Sequence, residues 1–326
     1  MTPISSEDQI LSVIDAHFPA EHPRLLLGRG DDCCVLAADG PLAISTDLFL
    51  EEAHFRRAYF SPRDIGWKGL AVNISDLAAA GAKPVGFSLG LALPPDADLE
   101  LVDGLFAGMA ELARPFNLSL TGGDLSRAEK LHLCVTIFGD ARPEAMLGRG
   151  RARPGDSVFL IGQVGLARVG LAVLESMGRA GMERYPSACR AHLRPVPRVR
   201  EGLMLAELME ARRARIGLMD VSDGLVRDLP RLLGRFGADL AFPTPHPECL
   251  AWAEERKGGG LSAGEICCLG GEDYGLVGTC EPSLIGDIVS SIPDCTVLGT
   301  VTGEGSGILW DGRPAASSGF DHFSKA

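Results

Sequence analysis

The stretch from Asp64 to Pro84, DIGWKGLAVNISDLAAAGAKP, constrains the fold more than any other part of the chain. Trp67, Leu70, Ile74 and Leu77 recur at helical spacing and predict a helix with one buried stripe. Gly69, Asn73, Asp76 and Ala80 keep the same period and form a second stripe of small and polar residues. An amide and a carboxylate on a face otherwise bare of side chains allow close approach. Packing of the small residues on a sheet, with Asp76 in solvent, explains that face equally well. The acidic motifs elsewhere shift the balance toward chemistry.

Ahead of this helix, Ile10, Val13, Ile14 and Ala16 predict a short helix behind a Ser5/Ser6 capping signal. Leu25–Leu27 then run into the turn Gly28-Arg29-Gly30-Asp31-Asp32, after which Cys33–Leu36 resume a strand. Leu42–Ile44 read as a strand ending on Ser45-Thr46-Asp47, with Glu51, Glu52 and His54 in the loop beyond. After the helix, Val85, Phe87, Leu89, Leu91 and Leu93 alternate with small residues in a period-two strand. Leu101–Ala113 is a further amphipathic helix, and Gly122-Gly123-Asp124 reads as a turn before the strand Leu131–Ile137.

Residues 142–156, RPEAMLGRGRARPGD, mix Pro, Gly and Arg without periodicity and mark a linker, dividing the chain into domains 1–142 and 143–326. Beyond it, Ser157–Ile161 predict a buried strand, Leu166–Met177 a helix, and a second helix follows Pro197. Met219-Asp220-Val221-Ser222-Asp223-Gly224 leads into a strongly helical run to Phe236. A helix cap needs one short polar side chain, whereas Asp220, Ser222 and Asp223 supply three within four residues. Leu269-Gly270-Gly271-Glu272-Asp273-Tyr274 is another glycine-led acidic turn, and the tail carries Gly319-Phe320-Asp321-His322-Phe323.

Composition excludes several classes. With 326 residues, 46% of them hydrophobic, the chain is long enough for two cores. A net charge of -12 without a basic cluster argues against nucleic-acid binding. The nine cysteines show no zinc spacing and an odd count, so they are expected to be reduced. The N-terminus lacks a basic start and an apolar core, and no apolar run reaches membrane-spanning length; a cytoplasmic protein without membrane partners is expected.

Asp32, Asp47, Asp76, Asp124, Asp220 and Asp223 stand at element ends or on small-residue faces in both halves of the chain. Hard oxygen donors without His or Cys at zinc spacing suit magnesium shared with substrate phosphates, which points to phosphoryl transfer. The P-loop, dinucleotide-binding and hydrolase-elbow motifs are all missing.

At this point the chain resembles the thiamine-monophosphate kinases, of the aminoimidazole ribonucleotide synthetase-like superfamily. The resemblance rests on GRGDDCCVL, AISTDLFLEEAHF, GWKGLAVNISDLAAAGAKP, TGGD, RARPGD, DVSDGLVRDL, GGEDYGL and GFDHF in that order. It implies an α/β N-terminal domain, an α+β C-terminal domain, mixed and antiparallel sheets, and an active-site cleft between the domains. It also implies a homodimer formed through the N-terminal strands, ATP as co-substrate and several magnesium ions, with potassium dependence left open. By the same resemblance Asp32, Ser45, Thr46, Asp47, Asp76, Asp124, Asp220 and Asp223 would hold magnesium. Gly123, Asp124, Arg149 and Ser222 would contact ATP, while His54, Glu272 and Phe320 would contact thiamine monophosphate; no residue is expected to act as a general base. Two departures stand out: Gly275 where the family usually has Glu, and Leu125-Ser126 where it usually has Thr-Thr. A superfamily relative acting on another substrate, or a silent nucleotide-binding protein, are the alternatives. A selenophosphate synthetase would be expected to carry a lysine near the N-terminus, and none precedes Lys68.

Overall fold

The computed structural model describes residues 2–256 and 260–314. Phe320 and the motif around it lie outside the described residues. The chain forms two units, one comprising the residues up to Leu77 with Ala82–Pro143, the other Ala78–Gly81 with the residues from Glu144 on.

In the first unit, β1 (Leu25–Leu27) and β2 (Val35–Leu36) pair as a short antiparallel ladder. Strands β3 (Leu42–Leu50), β4 (Lys83–Leu93), β5 (Ser119–Arg127) and β6 (His132–Asp140) form a mixed sheet in the order β3-β6-β4-β5. Only β4 and β5 run parallel. The helices are α1 (Glu7–His17), α2 (Pro62–Ala80) and α3 (Leu99–Ala113). Ser6 stands at the N-cap of α1 but makes no side-chain cap bond; the backbone amide of Ser5 donates to Gln9 instead.

Helix α2 is the expected one, and it is buried on nearly every side rather than along one stripe. Leu70 and Ile74 are fully buried, and so are Lys68, Asn73 and Ser75. A helix buried over most of its surface needs neighbours on more than one side. The sheet is one: a Cβ added at Gly69 would lie 3.2 Å from Leu133 Cδ2 and 3.3 Å from Phe49 Cδ1. Helix α3 is the other: a Cβ on Gly66 would lie 1.9 Å from the Leu105 carbonyl oxygen, and one on Gly108 only 2.0 Å from that of Arg63. The two helix backbones touch, which only glycine permits.

Two expected turns are strand interiors. β3 does not end on Ser45-Thr46-Asp47; its ladder with β6 continues through Asp47↔Val135 to Leu50↔His132. The apolar run Leu48-Phe49-Leu50 sustains the pleat, and alternation turns Asp47 toward the face that Phe49 shares with Gly69. Gly122-Gly123-Asp124 likewise lies inside β5, in register with Ser88, Leu89 and Gly90. Gly123 is required there because its φ is 154° and a Cβ would lie 1.8 Å from the Leu89 carbonyl oxygen.

The second unit has a seven-stranded sheet built from β7 (Ser157–Ile161), β8 (Ile216–Asp220), β9 (Phe236–Leu240), β10 (Leu276–Cys280), β11 (Cys295–Glu304), β12 (Ile308–Trp310) and β13 (Arg313–Pro314). Their order is β13-β12-β9-β11-β7-β10-β8, antiparallel except between β12 and β9. Helices α4 (Leu166–Met177), α5 (Pro186–Leu193), α6 (Val199–Arg212), α7 (Leu225–Leu233), α8 (Pro247–Glu254), α9 (Ala263–Leu269) and α10 (Ile285–Ser291) complete it. Its core gathers Val158 and Leu160 of β7, Leu225, Leu229 and Leu232 of α7, and Trp310. The aperiodic segment 142–156 is stitched down: Gly148 accepts from the Leu218 amide, Gly150 donates to Leu232, and Gly155 donates to Val301. Its partners come from elsewhere in the chain, so its own sequence needs no period. Among the described residues no helix is long and apolar enough to cross a membrane.

The α2–α3 contact predicts that Gly108→Ala destabilises by about 1–3 kcal/mol in urea unfolding, since backbone blocks the new methyl. Gly286→Ala in α10, where a Cβ meets nothing within 4 Å, should be neutral or stabilising by up to about 1 kcal/mol.

Candidate functional site

The first unit sets two carboxylates face to face. Ser45 and Asp47 lie on the inward side of β3, Asp76 on the opposing flank of α2, and Ser45 Oγ donates to Asp76 Oδ2. Burial, then the charge of Asp76 and a hydrogen bond to it, pushes the Asp47 carboxyl up to about 6. The pair is therefore uneasy at neutral pH, and two carboxylates with a hydroxyl form a hard donor set that fits magnesium, which keeps waters and binds through one or two carboxylates plus phosphate. Asn73, one turn before Asp76, donates to the Gly69 carbonyl, and its own Oδ1 is buried with no partner among the described residues.

The other first-unit candidates are distributed differently. Thr46 points to the outer side of β3, its hydroxyl 2.9 Å from that of Thr136. Register places exposed Asp124 in line with Gly90, Cys134 and outward-facing Leu48, and Gly123 in line with Leu89, Val135 and Asp47. Asp32 sits exposed on its turn, which Arg29 ties down through the Leu120 carbonyl at 2.8 Å, the Phe18 carbonyl and Asp15. His54 is oriented locally: Nδ1 accepts from the Leu50 amide at 3.0 Å and the ring stacks on Phe49. Among the described residues no three His, Cys, Asp or Glu side chains gather as a metal cluster.

In the second unit, Asp220 ends β8 nearly buried, and the loop after it is locked to the acidic turn 270–275. Glu272 N–H donates to the Ser222 carbonyl at 2.8 Å, Tyr274 N–H to Val221, and Val221 N–H to Gly275. A Cβ on Gly275 would lie 2.8 Å from the Ile161 carbonyl oxygen, so this backbone has little room for the family's usual Glu. Neither Ser222 nor Asp223 caps α7, whose N-cap is Gly224. Instead Asp228, fully buried in the first turn, reaches back to accept the Asp223 amide at 2.9 Å. Burial, with the charge of Asp223 adding to it, pushes Asp228 up to about 6. Asp223 itself pairs with Arg231 at 2.7 Å and Arg227 at 3.6 Å. The backbone bonds of Gly148 and Gly150 fix Arg149, exposed, between β8 and α7.

Sequence reasoning passed over Arg29, Asp228, Arg231, Asp273 and His192. Asp228 falls at helical spacing with the buried Leu225, Leu229 and Leu232, so its place on the apolar face was a signal in the sequence, whereas Arg231 is exposed and carries none. Asp273 accepts the amides of Gly165 and Ala167 at the start of α4, a cap supplied from a distant segment. The buried His192 lies 3.2 Å from Glu272.

A raised Asp47 pKa has a definite sign. Its ionisation opposes folding, so stability of the metal-free protein falls as pH rises from about 4 through 6. Asp47→Asn should therefore stabilise the protein in EDTA at pH 7.5 by on the order of 1–2 kcal/mol, an advantage that vanishes near pH 4 in thermal melts.

Residues 30–141 match the family of AIR synthase related protein, N-terminal domain. Over 302 residues the chain is 32% identical to the thiamine-monophosphate kinase of Synechococcus elongatus, covering 91% of this chain and 88% of that one. The crystal structure of thiamine-monophosphate kinase from Stenotrophomonas maltophilia superposes with a TM-score of 0.80 at 30% identity, covering 97% and 99% of the two chains. A structure of AaThiL complexed with AMPPCP and TMP superposes at 0.76 with 27% identity, covering 97% of each. The order of the acidic motifs, the fold of both units and these likenesses agree: the chain belongs to the thiamine-monophosphate kinase family.

Proposed function

We propose that this protein transfers the terminal phosphoryl group of ATP to the phosphate of thiamine monophosphate, forming thiamine diphosphate. The observation that carries the reading is the Asp47–Asp76 pair with Ser45, a like-charged oxygen site held together by the fold. Family membership and the neighbour complexed with AMPPCP and TMP support the choice of substrates. The acceptor, a phosphate monoester with a second pKa of about 6, already presents an unprotonated oxygen at neutral pH, so no side chain need remove a proton. What remains is positioning and charge stabilisation. Bound magnesium supplies neutralisation of the two polyanions and of the charge on the transferring group.

The residues of this chain hold and orient. Asp47, Asp76 and Ser45 are the core of the proposed cation site of the first unit, with Asp32 as a further candidate, whereas Thr46 and Asp124, on the outer side of their sheet, stand apart from it; Asp220 and Asp223 are proposed as the magnesium ligands of the second unit. Arg149, Gly123 and Ser222 are proposed to contact ATP: a guanidinium offers paired donors to phosphate, and a bare glycine lets phosphate approach the backbone. His54 and Glu272 are proposed to contact thiamine monophosphate, Glu272 through an amino or ring-nitrogen group.

We also infer a homodimer formed through the outer face of the first unit's sheet. That face exposes Ile44 by 62% and Leu48 by 57%, an apolar row beside the Thr46–Thr136 pair. Light scattering should give twice the chain mass, and Ile44→Asp with Leu48→Asp should halve it; a monomeric native protein would refute the dimer.

For the reaction, ATP and thiamine monophosphate should yield ADP and thiamine diphosphate in equal amounts. Asp76→Asn should lower kcat by about 100-fold or more and shift the magnesium dependence. Release of free phosphate without thiamine diphosphate would overturn the kinase reading, and wild-type kinetics across a magnesium titration would remove Asp76 from it.

A further inference from the structure

We propose that His192 is a positioning residue that fixes the carboxylate of Glu272 for recognition of the thiamine moiety. The proposal rests on the reading of Glu272 as a contact to thiamine monophosphate and goes beyond it by naming what holds that contact in place. His192 is 1% exposed on α5, and its Nδ1 lies 3.2 Å from Glu272 Oε2, whereas the Glu272 side chain is 28% exposed. A carboxylate only accepts hydrogen bonds, so Nδ1 carries the proton of this contact. One end of the pair is thus anchored in the protein interior and the other is open to a ligand.

The backbone beneath Glu272 is fixed as firmly as the side chain. Glu272 has φ 65° and Tyr274 φ 52°, left-handed conformations that non-glycine residues adopt at a cost. They persist because the turn is overdetermined. Glu272 and Tyr274 donate to Ser222 and Val221, Asp273 accepts two amides of α4, and a Cβ on Gly271 would lie 2.6 Å from the Ser222 carbonyl oxygen. The histidine is fixed in turn by close helix packing. A Cβ on Gly170 of α4 would lie 2.0 Å from the Ala188 carbonyl oxygen and 3.0 Å from His192 Cβ, so α5 is pressed onto α4 where His192 projects. A flexible glutamate loses rotamer freedom when it binds a ligand; one already held by a buried donor does not. Held at Oε2 by the histidine and partly exposed, the carboxylate is the acceptor for an amino or protonated ring-nitrogen donor of the substrate.

The test is a split between kinetic parameters. His192→Phe keeps a buried ring and removes the donor, and His192→Gln keeps an amide but moves it away from the Nδ1 position. Each should raise KM for thiamine monophosphate by about tenfold or more, with KM for ATP and kcat within about twofold. His192→Asn, whose amide sits where Nδ1 does, should restore most of the loss. In a Glu272→Gln background, itself expected to raise the same KM, His192→Gln should add nothing further. If Glu272→Gln leaves the KM for thiamine monophosphate unchanged, the reading of Glu272 falls and the proposal with it. If Glu272→Gln raises that KM but both His192 variants, folded by thermal melt, leave it at the wild-type value, only the positioning role is overturned. A uniform loss of kcat and of affinity for both substrates would likewise overturn it, as the mark of a purely structural histidine.

Discussion

Everything in the first unit depends on how closely α2 can be gripped. Gly66 and Gly108 let the backbones of α2 and α3 touch, and Gly69 lets α2 settle onto Phe49 and Leu133 of the sheet. Close packing on both flanks removes the freedom of the helix to slide or roll, because interiors this dense do not deform continuously. Asp76 is thereby presented at a fixed height against β3. A larger residue at any of the three glycines would push the helix outward and separate Asp76 from Ser45 and Asp47. The small-residue stripe is thus the mechanical cause of the electrostatic arrangement, even though it carries no chemistry itself.

That arrangement is unfavourable on its own terms. The fold brings Asp47 to a half-buried place beside a second carboxylate and raises its proton affinity, in a region otherwise stabilised by apolar contact. Nothing about the stability of an isolated domain calls for this, and replacement by neutral residues would relieve it. A function that needs concentrated negative charge does call for it, since a divalent cation turns the same repulsion into binding energy. The electrostatics and the family likeness therefore point the same way by independent routes.

Elements with strong period were legible in the sequence: α2, α3, α4 and α7 stand where their apolar residues recur, although α7 stops at Leu233 and Phe236, expected to close it, opens β9 instead. The polar residues were harder to place. Ser45-Thr46-Asp47 reads as a strand end because three polar residues in succession suggest solvent, yet β6 supplies ladder bonds across all of them and alternation sends Thr46 and Asp47 to opposite faces. Gly122-Gly123-Asp124 reads as a turn because glycine usually marks one; what demands Gly123 is the carbonyl of Leu89 on the neighbouring strand, which local sequence cannot reveal. Contacts such as Asp273 with α4 and His192 with Glu272 join segments far apart in the chain, and no periodicity encodes them. The acidic positions were found because several short polar side chains exceed what turns and caps need; Arg231 was missed because a lone arginine on a helix surface has no such surplus to betray it, and Asp228 was passed over although its spacing with Leu225, Leu229 and Leu232 puts it on the buried face.

The two units hold their acids in different electrostatic states. Asp47 and Asp76 interact with one another and with Ser45, so their negative charge is left for a cation from outside the chain. Asp223 is already matched by Arg231 and Arg227, and Asp228 sits behind it, buried and with raised proton affinity. Recruiting Asp223 to a metal would mean exchanging guanidinium partners for the ion, which releases Arg231 and Arg227 to face phosphate oxygens, the acceptors that a guanidinium fork fits best. On this argument the first unit would attract a cation before any substrate arrives. In the second, binding of a metal at Asp223 would be coupled to binding of a polyanion through the same two arginines.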